Sequence, residues 1–478
     1  MEQTIQASRL IPFPDEHKAE VDRLLKTEIA LNKQKIVVLD DDPTGVQTVH
    51  NISVYTDWTV ESLRKGFAEE NKMFFILTNS RGMTAAETIA AHREIVKNTA
   101  QVSRETGIDC FLISRSDSTL RGHFPLETQL IREGMESENG VRMDGEVLCP
   151  FFREGGRFTM DDTHYVRYGD DLVPAAQTEF AKDKTFGYTH SDLKEYIEEK
   201  TGGAFKASEV TSITLEEIRA LDYDAIQNKL LNVSGFGKVI VNAMDPYDVK
   251  VFAIALYRAF GKGRHFCFRS AAALAQTLGG VPERPLLKRE EMITQESGKG
   301  GIVVVGSHTK KTTAQLMELI KVDGVVPIEM NSDLVLKEGE LEKEAAAIIS
   351  RCEELIESGK TPVVYTKRTL LTVPKDTPEA ALIRSVKISH AVQSLVGNLS
   401  IAPAFVVAKG GITSSDVGTK ALRVKRARVL GQIRPGIPVW QTGEESRFPG
   451  VAYVIFPGNV GTETTLREAV EVLMDRQG

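Results

Sequence analysis

The sequence predicts an α/β protein of two domains, each a mostly parallel sheet flanked by helices, with a ligand cleft between them. Three observations lead there. Apolar runs of strand length alternate with helical patterns through most of the 478 residues, and that alternation implies parallel strands covered on both faces. The rhythm breaks at the polar segment "LKREEMITQESGKG" (Leu287–Gly300) and then restarts. The chain is also long enough for two or three large cores. The boundary is expected near residue 295, giving an N-terminal extension (1–34), a first domain (35–295) and a second domain (296–478).

The elements follow in order. Residues 1–34 read as a short extended piece broken by Pro12 and Pro14, then an amphipathic helix from about Asp15. "KIVVLD" is a strand, "ESLRKGFAEE" a helix and "KMFFILTNS" a strand. "TAAETIAAHREIVKNTAQV" is a long helix, opened by Thr84 with Glu87 three residues on. The strand "DCFLISRSD" and the helix "PLETQLIREGME" follow. Between about 150 and 235 the turn signals of "REGGRFTMDDTHYVRYGDDLVP" predict hairpins and loops. "KVIVNAMD" and the helix after Pro246 resume the alternation. In the second half, "GIVVVGS", "VVPIEM", "PVVYT", "AFVVAK" and "VAYVIF" are strands, separated by helices near "TTAQLMELI", "EGELEKEAAAIISRCEELIE" and "TPEAALIRSVKISHAVQSLV".

Composition narrows the class. A net charge of -7 leaves no excess of lysine and arginine to offset phosphates, which argues against a nucleic-acid partner. Cys110, Cys149, Cys267 and Cys352 are far apart without metal-ligand spacing, as in a reducing compartment. No apolar run approaches the roughly 18 residues of a membrane span, and the N-terminus lacks the apolar core of a signal peptide. A cytoplasmic protein with small-molecule partners is expected, and a homodimer is compatible with this composition.

The acidic turn Asp40-Asp41-Asp42-Pro43-Thr44-Gly45 ends the first strand. Adjacent carboxylates repel one another, so something must offset them, and the carboxyl edge of a parallel sheet is where such folds bind ligands. The carboxylates could coordinate magnesium, accept hydrogen bonds from sugar hydroxyls or take a proton from an attacking hydroxyl. The same turn also fits a haloacid dehalogenase-like phosphatase, with Asp40 as nucleophile, Asp42 as acid/base and Thr78 or Ser80 in the hydroxyl role. That alternative lacks a paired-acid motif at the end of a later apolar strand, since Asp161-Asp162 and Asp170-Asp171 follow hairpin-like stretches. Arg81, in "TNSRG", and Arg115, Asp117, Ser118, Thr119 and Arg121, in "SRSDSTLRG", lie just past two further strands. Arginines there can pair with a carboxylate, or can neutralise the acidic turn.

The second half carries three glycine turns after strands: Gly306-Ser307, Gly410-Gly411-Ile412-Thr413-Ser414, and Gly458-Asn459 with Gly461. Small residues let phosphate oxygens approach backbone N–H groups, and three such turns at one edge point to nucleotide binding. Gly359-Lys360-Thr361 is not a P-loop, because Glu354 stands where the first glycine would be, and Gly359 instead ends a helix. "RVKRARVL" reads as a solvated basic connection, and His123 and His164 as structural.

The ordered set "DDDPTG", "SR", "DSTLRG", "GGRF", "GS", "GGITS" and "PGNVG" resembles the four-carbon acid sugar kinases, from about Lys35 to the C-terminus. That family, which includes threonate, erythronate and 3-oxotetronate kinases, joins a sugar-binding domain to a nucleotide-binding domain. The resemblance implies an acid-sugar site of Asp41, Asp42, Thr44, Gly45, Arg81, Asp117, Ser118, Thr119 and Arg121. It implies ATP contacts at Ser307, Gly410, Gly411, Ile412, Thr413, Ser414, Gly458 and Gly461, with Mg2+ bridging the phosphates. The chain departs from the family at Pro43, at Val46-Gln47, at Ser114–Ser116, at Ile412 (usually glutamate) and at Phe456 (usually lysine). The expected chemistry is phosphoryl transfer. Arg81 and Arg121 would hold the substrate carboxylate, Asp42 or Asp117 would accept the hydroxyl proton, and hinge closure would bring the substrates together. A non-catalytic binder of nucleotide or sugar acid is the other alternative, because of Ile412 and Phe456.

Overall fold

A computed structural model describes residues 3–294, 296–369, 371–373, 376–458 and 460–475. The chain forms two compact units. One holds the residues up to Thr48 together with Asp57–Glu283, and the other holds Val49–Thr56 and the residues from Arg284 onward.

In the first unit, seven parallel strands lie in the spatial order Thr211–Ile213, Gly237–Val241, Gly145–Cys149, Phe266–Ser270, Cys110–Arg115, Lys35–Asp40 and Met73–Leu77. The strands Lys35–Asp40, Met73–Leu77 and Cys110–Arg115 are buried along their whole length, as near-continuous apolar runs covered on both faces should be. Their register sets Asp40 beside Arg115 on one side and beside Leu77 on the other. The helix Ala85–Thr106 opens with the Thr84–Glu87 capping box and ends at Gly107, φ 67°.

The residues expected as an extension are built into this unit. Ile5–Gln6 pairs with Leu172 and Asp171, and the helix Asp15–Leu31 packs on Pro246–Phe260. The irregular middle forms an antiparallel sheet in which Arg157–Met160, Thr163–Tyr168 and Asp171–Pro174 follow one another.

In the second unit the spatial order is Ile52–Tyr55, Arg426–Arg434, Ile437–Thr442, Ala452–Phe456, Phe405–Lys409, Ile302–Val305, Thr361–Thr366 and Val325–Met330. The strands from Ala452–Phe456 to Val325–Met330 are parallel, and the others are joined antiparallel. The basic run read as a connection is the start of a strand: Arg426 and Arg428 are exposed while Ala427 and Val429 are buried, the period of two that a one-sided strand requires. Leu287, Met292 and Ile293 sit in this unit's core with Val305, Phe405 and Val454. The polar segment expected to part the domains therefore belongs to the second unit, because its apolar residues are buried there. No helix among the described residues is long and apolar enough to cross a membrane.

Candidate functional site

The acidic turn closes over its own first residue. Asp40 is 1% exposed, its Oδ1 lies 3.4 Å from Arg115 Nη1, and its Oδ2 has no hydrogen-bond partner. Burial, with Asp41 and Asp42 adding to it against Arg115, pushes the Asp40 carboxyl up to about 8. A Cβ at Gly45 would lie 1.9 Å from Asp40 Oδ1, so only glycine lets the turn fold back here. Asp42 Oδ1 accepts from the Thr44 amide at 2.8 Å and the Thr44 hydroxyl at 2.5 Å, a local turn made by side chain and backbone.

Arg81 gathers three of the aspartates. Its Nη2 and Nε donate to the two oxygens of Asp41 at 2.9 and 3.2 Å, its Nη2 lies 3.2 Å from Asp42 Oδ2, and its Nη1 lies 3.9 Å from Asp117 Oδ1. Burial alone would raise the Asp42 and Asp117 carboxyls, but Arg81, with Thr44 at one and Arg121 at the other, holds both below the usual range. Asp41 is still raised, because burial outweighs Arg81. Arg81, expected with Arg121 to hold a substrate carboxylate, has its paired donors on Asp41 in this structure.

The loop from Asp117 to Gly122 is held in a strained form. Arg121 Nε donates to Asp117 Oδ2 at 2.7 Å, and the Thr119 hydroxyl bonds the same oxygen. Leu120 has φ 69°, a left-handed backbone unfavourable for a γ-branched residue. Buried tyrosines hold it: Tyr188 donates to Thr119 O at 2.8 Å and Tyr196 to Leu120 O at 2.9 Å. His164 bonds Ser118 O at 2.8 Å and Thr159 Oγ1 at 3.0 Å, and burial lowers the imidazole to about 4, so it is neutral. Beneath the loop, Glu127 accepts from Ser80 (2.6 Å), Ser114 (2.8 Å) and Ser116 (3.3 Å) and lies 3.7 Å from Arg269 Nη1. Arg269 in turn donates to Arg121 O at 2.6 Å.

The second unit brings its glycine turns to one place. Val305, Lys409 and Phe456 are register partners on adjacent strands, so the turns after them start side by side. A Cβ at Gly306 would fall 2.2 Å from Thr413 Oγ1, one at Gly410 3.2 Å from Ser307 Cβ, and one at Gly458 3.7 Å from Ser307 Oγ. This side-chain-poor cradle fits a polyphosphate. Ser307, Gly410, Thr413 and Gly458 therefore come together. Gly411 faces open space and Ile412 is 76% exposed, at the rim. Ser414 points inward, its hydroxyl donating to Ala408 O at 2.8 Å, and so fastens the turn. Gly461 (φ 82°) packs against Thr465, where a Cβ would come within 2.7 Å. Asn459 lies outside the described residues.

Both halves of the chain match known families. Residues 36–278 match the family described as "Sugar-binding N-terminal domain", and residues 302–466 match "Nucleotide-binding C-terminal domain". The chain belongs to the four-carbon acid sugar kinase family. Two solved structures share the fold. One is a Salmonella typhimurium LT2 protein whose name proposes a tRNA synthase, with TM-score 0.65, 16% identity, and coverage of 91% of this chain and 98% of that one. The other is a Haemophilus influenzae protein of the family DUF1537, with TM-score 0.60, 18% identity, and coverage of 91% and 100%. No curated protein matches the chain.

Against the family pattern, Lys409 is the residue that sequence reasoning missed. It is fully buried, donates to Pro457 O (2.6 Å) and Gly458 O (3.2 Å), and sits 4.1 Å over the Phe456 ring. Lys409 stands beside Phe456 in register on the neighbouring strand. Burial, with Lys311 nearby, lowers its ammonium to about 7. Glu127, Arg269 and Tyr196 were also missed, because each acts through tertiary contacts distant in sequence.

Proposed function

We propose that this member of the family is an ATP-dependent kinase that phosphorylates a hydroxyl of a small, four-carbon acid sugar such as a threonate, erythronate or 3-oxotetronate. The observation that carries this is the joining, in one chain, of a buried aspartate–arginine cluster in the sugar-binding half and a glycine cradle around Ser307 in the nucleotide-binding half.

Phosphoryl transfer asks the protein for positioning and charge stabilisation more than for covalent chemistry. In this proposal Thr44, Ser118, Thr119 and the aspartates hold the sugar hydroxyls. Arg81 keeps Asp41, Asp42 and Asp117 together without mutual repulsion. Both Asp42 and Asp117 are ionised at neutral pH, and either can accept the proton of the attacking hydroxyl. Ser307, Gly410 and Thr413 line the phosphates, with Gly458 fixed by Lys409. Gly411, Ile412 and Ser414 complete the middle turn, and Gly461 shapes the last one. In-line transfer requires the two bound substrates to come into contact.

Mg2+ entering with ATP would neutralise charge on the transferred group. Among the described residues no cluster of three or more His, Cys, Asp or Glu is arranged to hold a metal. The phosphatase alternative needs Asp40 as an accessible nucleophile. Asp40 is instead buried under Gly45 with its carboxyl pushed up, and the residues do not support that chemistry.

The test is ADP release against a panel of four-carbon acids. Release with one acid and not with its stereoisomers supports the kinase. Binding of ATP and an acid without turnover would instead make the protein a sensor, and phosphate release without ATP would restore the phosphatase.

A further inference from the structure

Four arginines near the first unit's acidic turn and loop are already engaged. Asp41 and Asp42 take Arg81, Asp40 takes Arg115, Asp117 takes Arg121, and Glu127 with the Arg121 carbonyl takes Arg269. Arg157 is different. Among the described residues no carboxylate forms an ion pair with its guanidinium, and its Nε, like Arg115 Nε and Arg269 Nη1, is buried without a hydrogen-bond partner.

Its position is fixed. Arg157 opens the strand Arg157–Met160, and Thr159, two residues on and so on the same face, reaches His164, which holds Ser118 O. The hairpin is thereby pinned to the Asp117–Gly122 loop. Arg157 Cζ lies 5.5 Å from the centre of the Phe180 ring, and Arg121 Cζ lies 5.0 Å from the same centre. Two guanidiniums thus share one aromatic ring, and only one of them has a carboxylate partner. The preceding glycines make room for this: a Cβ at Gly155 would meet Phe152 at 2.4 Å and Arg157 Nη1 at 3.3 Å, and Gly156 has φ 74°. Burial lowers the Arg157 pKa against the pull of Asp117. A partly buried guanidinium without a counter-anion is unfavourable unless an anion comes to it.

We infer that Arg157, beside Arg121 on the Phe180 ring, receives the carboxylate of the acid sugar and so selects acids over neutral polyols. This rests on the kinase reading and deepens it. A planar guanidinium with its donors uncommitted can bind a carboxylate through paired hydrogen bonds, which the engaged Arg81 cannot offer.

The experiment compares the wild type, Arg157→Met and Arg157→Lys on the best acid from the panel and on that acid's C1 amide. The methionine variant should raise KM for the acid by roughly 30-fold or more, the loss expected when one partner of a desolvated charge pair is removed. KM for ATP should stay within about twofold, turnover of the amide should fall far less than that of the acid, and the lysine variant should recover part of the acid preference. Retention of the wild-type preference for acid over amide by Arg157→Met would overturn the inference and leave the kinase standing. Absence of ADP release by the wild type with every acid would remove the kinase reading, and the inference with it. If the methionine variant failed to fold, Arg157→Gln replaces it, and retention of the wild-type preference for acid over amide by that uncharged variant would likewise overturn the inference.

Discussion

Lys409 and Asp40 are buried titratable groups with opposite consequences. For Lys409, burial lowers the ammonium to about 7. Between about 7 and the ordinary lysine value of 10.5 the unfolded chain holds a proton that the folded one does not. The stability linked to this group is therefore fully present above that window and lost as pH falls through it to about 7. A phosphate arriving at the Gly458 turn favours the charged form, so ATP binding near neutral pH should take up a proton. Calorimetry in buffers of different ionisation enthalpy should detect that proton in the wild type and not in Lys409→Met, whose ATP affinity should fall about tenfold. Asp40 has the reverse sign: its carboxyl is raised to about 8, so its contribution is largest at low pH and is lost as pH rises toward and through about 8. Asp40→Asn should flatten that decline in a melting-temperature series across pH, and an unchanged profile would contradict the assignment. The choice of base is read by Asp42→Asn and Asp117→Asn. Loss of the base should lower kcat by about 10²–10⁴ with a smaller change in KM, while the other variant should act mainly on KM. The sequence made the aspartates, Arg81 and Arg121 legible, since each follows an apolar strand. It gave no signal for Lys409, whose role depends on Phe456 being its register partner 47 positions away in sequence (456 − 409).

At the scale of elements, local chemistry was readable wherever it was self-contained. The Thr84–Glu87 cap, the end of a helix at Gly359 (φ 75°) and the hairpins between 150 and 175 need only neighbouring residues. The strand Ile52–Tyr55 was missed because it is short and pairs with Arg426–Val429, which lie near the other end of the chain. The basic run before Val429 was placed on a connection because its charges masked the alternation with Ala427. The Asp117–Gly122 loop supplies a direct test. Tyr196→Phe removes the donor to Leu120 O and leaves a buried carbonyl unpaired, which should reduce stability by about 1–3 kcal/mol in urea unfolding. Because Leu120 is left-handed, KM for the acid should also rise as the loop relaxes, whereas KM for ATP should not. Gly45→Ala should be worse than a surface change, since the new Cβ collides with the Asp40 carboxylate. A loss of about 1–3 kcal/mol is expected, as for an overpacked core.

On the scale of the whole chain, the two units predict separable ligand footprints. Amide hydrogen exchange should slow at Ser307 and Gly410–Ser414 when ATP is added, and at Asp41–Gly45 and Asp117–Gly122 when the acid is added. The reverse pattern would overturn the assignment of the two halves. A C-terminal fragment beginning at Arg284 would lack Ile52–Tyr55, leaving the strand Arg426–Arg434 with an unpaired edge, and should aggregate more readily than the full chain. By itself the sequence determined the alternation of strands and helices, the acidic and glycine-bearing turns, and the family, because each depends on local periodicity or on an ordered series of short motifs. Only the tertiary structure decided which arginines are already engaged, which lysine bonds the Pro457 and Gly458 carbonyls, and which half of the fold takes residues 49–56 and 284–294. Those depend on burial and on register between strands far apart in the chain, which set the distance between charges and the water left around them.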